Sequence, residues 1–103
     1  MSSPEGVRPV VLVRRAAIDF EEIGTFTGER WGIAQQQLYI SKIDAALLAI
    51  GRNPEIGRRT PGFSFACRML PAGSHAIYYR VEAKSILILR ILHQRMNARI
   101  HMG

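Results

Sequence analysis

The pattern of apolar and polar residues changes period twice along the chain. Val10, Val11, Leu12 and Val13 form a short aliphatic run, which predicts a buried or half-buried strand over residues 10–13. From Ala16 the spacing turns helical: Ala16, Phe20, Ile23, Thr27 and Trp31 recur every three or four residues, with Asp19, Glu21, Glu22, Glu29 and Arg30 between them. This predicts an amphipathic helix over residues 16–31, with Trp31 in the core. Asp19, Glu21 and Glu22 read as a solvated face near its N-terminus, where carboxylates complement the helix dipole. Gly24 and Gly28 each weaken such a helix by up to about 1 kcal/mol relative to Ala, so the helix relies on packing or leaves room for a close neighbour. Gly32 is placed to stop it. Ile40, Ile43, Leu47 and Ile50 then mark a second helix over residues 33–50, closed by Gly51 and barred from continuing by Pro54. Two helices joined at Gly32 make an antiparallel hairpin.

After a polar loop over residues 52–62 the period becomes two. Strands are predicted over residues 65–70, 75–81 and 86–93, with a turn at 71–74 and a short hairpin through 82–85. Alternation puts Tyr78 and Arg80 on one side of their strand and His75, Ile77, Tyr79 and Val81 on the other. In the last strand it puts Arg90 with Ile86, Ile88 and Leu92, and His93 with Leu87, Leu89 and Ile91. That strand is apolar at nearly every position, so both its faces need cover. The helices can cover one; the other falls to the C-terminal segment, a second copy or a partner. The plan is α+β: an N-terminal strand, an antiparallel helical hairpin and a three-stranded antiparallel meander, forming one sheet. Residues 10–99 make the single domain, 1–9 a loose N-terminal tail and 100–103 a C-terminal tail; residues 94–103 as a whole are basic, with room for one helical turn.

A chain of 103 residues with 48% hydrophobic content is one domain with one core. No apolar stretch is long enough to span a membrane and the first eight residues lack a signal peptide's apolar core, so the expected location is the cytoplasm. A lone Cys67 permits no internal disulfide. The charge of +6 is unevenly spread: residues 1–50 hold five cations against six carboxylates, net −1, and residues 51–103 hold nine against two, net +7. Twelve of the fourteen cations are Arg, whose planar fork suits carboxylates and phosphates, so the second half calls for an anionic partner.

The second half also holds the candidate chemistry: Arg68, His75, Tyr78, Tyr79, Arg80, Arg90, His93, Arg95 and Arg99. A ribonuclease could use such a set, with His as general acid or base and Arg stabilising the charge on phosphorus. A basic face that docks an acidic protein segment needs only the charges. His75 and His93 lack the neighbouring Cys or carboxylates of a metal site, and Cys67 in a strand reads as packing. No phosphate loop, dinucleotide fingerprint or nucleophile elbow is present, and no cofactor is expected.

Four stretches in order carry a family resemblance. Asp19-Phe20-Glu21-Glu22-Ile23 with Glu29-Arg30-Trp31-Gly32, then Asn53-Pro54-Glu55-Ile56-Gly57-Arg58, then Gly73-Ser74-His75-Ala76-Ile77-Tyr78-Tyr79-Arg80-Val81, and Ile88-Leu89-Arg90-Ile91-Leu92-His93-Gln94-Arg95-Met96 resemble the ParE toxins of type II toxin-antitoxin modules, within the ParE/RelE superfamily. The resemblance covers residues 10–99. It implies a non-enzymatic bacterial toxin, of the plasmid-stabilisation kind, that poisons DNA gyrase and is held inactive by a ParD-like antitoxin with an acidic amphipathic C-terminal segment. It implies no membrane association and no sequence-specific DNA binding by the toxin itself. Arg68, Tyr78, Arg80, Arg90, His93 and Arg95 are the residues expected to contact the antitoxin or the target.

The superfamily also contains RelE-like toxins that cleave messenger RNA on the ribosome, using Lys, Arg and usually a Tyr near the C-terminus. Here nothing aromatic follows Tyr79 and only Lys42 and Lys84 are present, while His93 and Arg95 keep phosphate chemistry open as the alternative. The chain departs from the ParE pattern at the start of its first helix, where Arg14-Arg15-Ala16 stands in place of a Ser or Thr cap.

Overall fold

The computed structural model describes residues 8–102. Most of the expected N-terminal tail, residues 1–7, lies outside the described residues. The elements run β1 (Val10–Leu12), α1 (Arg14–Trp31), α2 (Ile33–Arg52), β2 (Arg58–Thr60), β3 (Cys67–Ala72), β4 (His75–Val81), β5 (Ile86–His93) and α3 (Ala98–Met102). Five strands form one sheet in the order β1-β5-β4-β3-β2, with β1 parallel to β5 and every other pair antiparallel. The α+β plan of helical hairpin on sheet therefore holds, and the sheet gains one strand at its edge.

That extra strand, β2, carried no periodic signal because Arg58 and Arg59 are both exposed on an edge, where charge discourages pairing with other chains. Strand β3 begins two residues later than expected and runs through Pro71, which pairs with Ala76. Pro is tolerated there because β2 pairs only as far as Met69, leaving β3 locally an edge. The turn shrinks to Gly73-Ser74, with Gly73 at φ 60° as a two-residue hairpin requires.

Helix α1 starts after Val13 with no side-chain cap and no acidic residue in its first turn, as Arg14-Arg15 dictates. Gly32, at φ 90°, ends it and begins α2. Gly24 and Gly28 let α2 come close: Gln36 Nε2 donates to the Gly24 carbonyl at 2.7 Å, and a Cβ on Gly28 would sit 2.8 Å from the same nitrogen. The hairpin buries Ala16, Ile23, Ile43, Leu47 and Ile50 against Ile77, Tyr79, Ile86, Ile88 and Ile91 of the sheet.

The opposite face is covered from within the chain. Cys67, Ala76, Tyr78 and Leu92 pack under Phe63, Phe65, Ala98 and Met102. The segment read as a basic tail thus contributes helix α3, which reaches Met102 and docks on the sheet.

One irregularity reverses the expected alternation in β5. Tyr78 pairs with Arg90 but Tyr79 pairs with Ile88, so Leu89 is an extra residue in a β-bulge. Beyond it the faces exchange: Ile91 joins Ile86 and Ile88 under the hairpin, and Leu92 joins the opposite cluster. Arg80 pairs with Leu87, so Arg80 and Arg90 do not meet across the hairpin.

Candidate functional site

The six expected contact residues do not form one face. Arg68 Nη1 donates to the Gly57 carbonyl at 2.6 Å and so pins the loop before β2. Tyr78 is buried beside Cys67, and burial raises its pKa. Arg80 lies 2.8 Å from Glu82 and over the Phe65 ring, with its guanidinium carbon 5.6 Å from the ring centre. Arg90 is buried against Asp19 of α1, with Nε to Oδ2 at 2.7 Å and Nη2 to Oδ1 at 3.0 Å. Its Nη1 reaches the His101 carbonyl of α3 at 3.1 Å. Tyr78 and Arg90 are cross-strand partners, Arg80 and Arg90 line one cleft, and His93 and Arg95 lie together at the end of β5.

Asp19 corrects the reading of a solvated acidic face. It is 5% exposed and holds Arg90 and the Ile91 amide, the latter at 3.0 Å. The cause is topological: β1 pairs β5 only over Ile86–Ile88, so past Ile88 an amide on that edge needs another acceptor. Asp19 supplies it from the second turn of α1. Trp31 is the second correction. The buried stripe of α1 ends at Thr27, and Trp31, one turn further on, is 63% exposed.

Sequence reasoning missed what Trp31 borders. A cavity of about 490 Å³ opens between the hairpin and the paired ends of β4 and β5, lined by Phe26, Trp31, Tyr39, Ser74, His75 and His93 among others. A cleft of about 260 Å³ shares Phe26, His75 and His93 with it and continues past Met96 to the Asp19–Arg90 pair. Phe26 is also 63% exposed. Its signal in the sequence was an aromatic residue off the buried stripe, which solubility alone does not call for.

His75 and His93 are direct cross-strand partners with ring centres 5.4 Å apart. Each ring has its Nδ1 engaged. The Arg95 amide donates to His93 Nδ1 at 3.2 Å. Tyr39 Oη accepts from the Ser74 amide at 2.9 Å and lies 2.6 Å from His75 Nδ1, a contact in which either group can be the donor. The neutral His93 ring, its Nδ1 accepting, carries its hydrogen on Nε2, and His75 does the same in the tautomer to which Tyr39 donates. Burial lowers the pKa of His75 below 6.5, His93 lowers it further, and Asp19 opposes both. With its Nδ1 accepting, the neutral His93 ring leaves no lone pair free for a general base or a metal. Among the described residues no group of three or more His, Cys, Asp or Glu could hold an ion. Burial pushes the Cys67 thiol up to about 11, so it is a packing residue and not a nucleophile.

The arrangement is a helical hairpin on a five-stranded sheet with an aromatic-walled groove at one end. Solved structures share this architecture. A toxin-antitoxin chain from the chromosomal ParDE system of P. aeruginosa matches with a TM-score of 0.73 at 21% identity, over 86% of this chain and 98% of that one. The RelBE2 toxin-antitoxin complex of Mycobacterium tuberculosis contains a chain that matches with a TM-score of 0.63 at 15% identity, over 92% of this chain and all of that one. At those identities they speak for the fold. Sequence similarity goes further. Residues 10–98 match the family described as ParE toxin of type II toxin-antitoxin system, parDE. The Toxin ParE1 of Caulobacter vibrioides is 36% identical over 97 residues, 94% of this chain and the whole of that protein. The Toxin ParE1 of Mycobacterium tuberculosis is 37% identical over 88 residues, 84% of this chain and 90% of its own length. The chain belongs to the ParE family and is the toxin of a type II toxin-antitoxin module.

Proposed function

We propose that this toxin is neutralised by a ParD-like antitoxin and acts, when released, as a non-enzymatic inhibitor of DNA gyrase in the cytoplasm. The observation that carries the antitoxin half is the groove at the end of β4 and β5, where Phe26 and Trp31 are each 63% exposed beside Met96 at 39%. Aromatic side chains held out on a rigid helix are the kind of anchor around which protein interfaces form. The net +7 of residues 51–103 favours an acidic partner. No described helix is long and apolar enough to cross a membrane.

The gyrase half rests on family membership and on the site chemistry. His93, its Nδ1 taken by the Arg95 amide, presents a donor in the neutral state and is poorly suited to extracting a proton from a ribose hydroxyl. The test uses purified toxin in two assays. Gyrase supercoiling is expected to fall in its presence and to recover on adding antitoxin, while messenger RNA on translating ribosomes stays intact. Ribosome-dependent cleavage that is lost in His93→Ala would replace this reading with the RelE-like one.

A further inference from the structure

His75 and His93 stand side by side in the groove, each with its Nδ1 engaged. The ties are rigid. Tyr39 is fixed by the Ser74 amide and lies against Gly73, where a Cβ would fall 2.7 Å from the Tyr39 ring. The Arg95 amide that holds His93 is backbone. His93 keeps an Nε2–H with no partner among the described residues, His75 offers the same in the tautomer to which Tyr39 donates, and the ring centres are 5.4 Å apart.

Two imidazole N–H donors on neighbouring cross-strand rings can each take one oxygen of a carboxylate. The surrounding charges permit it. The larger cavity has no carboxylate in its lining. In the adjoining cleft, Asp19 is matched by Arg90 and Arg15, leaving Glu22 of α1 as the acidic group opposed to a further anion. Arg95 stands two residues after His93 in the chain and is exposed. The walls of the cavity are the exposed rings of Phe26 and Trp31.

We infer that the His75–His93 pair is a carboxylate receptor, which takes an Asp or Glu side chain of the antitoxin flanked by an apolar residue seated between Phe26 and Trp31. This rests on the antitoxin reading above and adds the chemistry of one contact to it. A phosphate would meet the same two donors, but the aromatic walls and the lone Arg95 offer little for a nucleic-acid backbone, whose binding depends on many cations in a row.

The probe is the antitoxin purified from the reading frame beside the toxin gene, titrated calorimetrically into the folded toxin. Replacing His93 by Leu is expected to weaken binding by about tenfold, the worth of one hydrogen bond to a charged group. His93→Gln, which restores an N–H donor at similar reach, is expected to return binding to near the parent value. One Asp→Asn or Glu→Gln change in the antitoxin should cause the same loss and add nothing to it in the His93→Leu background. Undiminished binding by His93→Leu would overturn the inference and leave the antitoxin reading standing. Absence of any complex with the parent toxin would overturn both. If the ring signals of His75 and His93 in NMR spectra respond to inorganic phosphate and not to the antitoxin, the pair is a phosphate site and the inference fails.

Discussion

Arg90 and Asp19 are 71 positions apart in sequence and joined by two hydrogen bonds in the core, at 2.7 and 3.0 Å. The pair ties β5 to α1 at the point where β1 has ended, and Asp19 also takes the Ile91 amide there. The hydrogen bonds that Arg90 donates to Asp19 raise its pKa against the opposing effect of burial, so its charge is retained. Replacing Asp19 by Ala would strand that cation in the core and is expected to cost about 3–5 kcal/mol, whereas an Asp19→Leu, Arg90→Met double variant should lose much less. Urea denaturation of the three proteins measures this. A loss from Asp19→Ala below 1 kcal/mol would show that water reaches the pair.

Much of the fold was legible because it rests on periodicity. The hairpin, the Gly32 break and strands β4 and β5 follow from spacings of three to four and of two. What was not legible depends on where elements end relative to one another. Asp19 looks like Glu21 and Glu22 in the sequence, and only the early end of β1 turns it inward. The Leu89 bulge reverses the facing of half of β5 without leaving a mark in a strand that is apolar throughout. The basic residues were legible as a group but not as a surface, since Arg68 and Arg90 are spent on holding a loop and a helix. The groove was hidden for the same reason: Tyr39, His75 and Trp31 come together only through tertiary packing.

Tyr79 shows how closely a side chain that looks functional can be bound into structure. It is fully buried, accepts from the Gly57 amide at 2.8 Å and donates to the Pro54 carbonyl at 2.7 Å. A Cβ at position 57 would clash with its hydroxyl oxygen, so Gly57 is required there. Tyr79→Phe leaves the Gly57 amide without its acceptor and is expected to destabilise the fold by about 1–3 kcal/mol. Thermal melts would register this, and hydrogen exchange at Gly57 should quicken. Because Arg68 holds the Gly57 carbonyl, the Arg68→Ala and Tyr79→Phe effects should be non-additive.

His75 gives the stability a pH dependence whose sign follows from its surroundings. Burial and the neighbouring His93 depress its pKa below the ordinary 6.5, outweighing the pull of Asp19. Between the depressed value and 6.5 the unfolded chain binds more protons than the folded one, so stability falls as pH drops through that window. His75→Gln is expected to flatten this part of the curve while leaving the loss at lower pH, where carboxylates protonate. Denaturation midpoints between pH 7.5 and pH 5, about the range over which His titrates, supply the comparison. A parent curve that is level there would contradict the burial of His75.

Phe26 and Trp31 separate the roles of stability and recognition. Each is 63% exposed, so truncation to Ala should change the free energy of unfolding by no more than about 0.5 kcal/mol. If the groove is the antitoxin's seat, the same truncations remove anchors from the middle of an interface and should each weaken the complex by about 2 kcal/mol or more. Arg80→Ala supplies the contrast. Its guanidinium lies over Phe65 and beside Glu82, outside the cavity that Phe26 and Trp31 wall, so its loss should alter the association rate and salt dependence more than the affinity. Calorimetry on the complex and chemical denaturation of the free toxin read the two quantities independently. Equal affinity for Trp31→Ala and the parent toxin would move the antitoxin's seat elsewhere, first to the apolar cavity of about 770 Å³ lined by Val10, Leu12, Leu47 and Leu48.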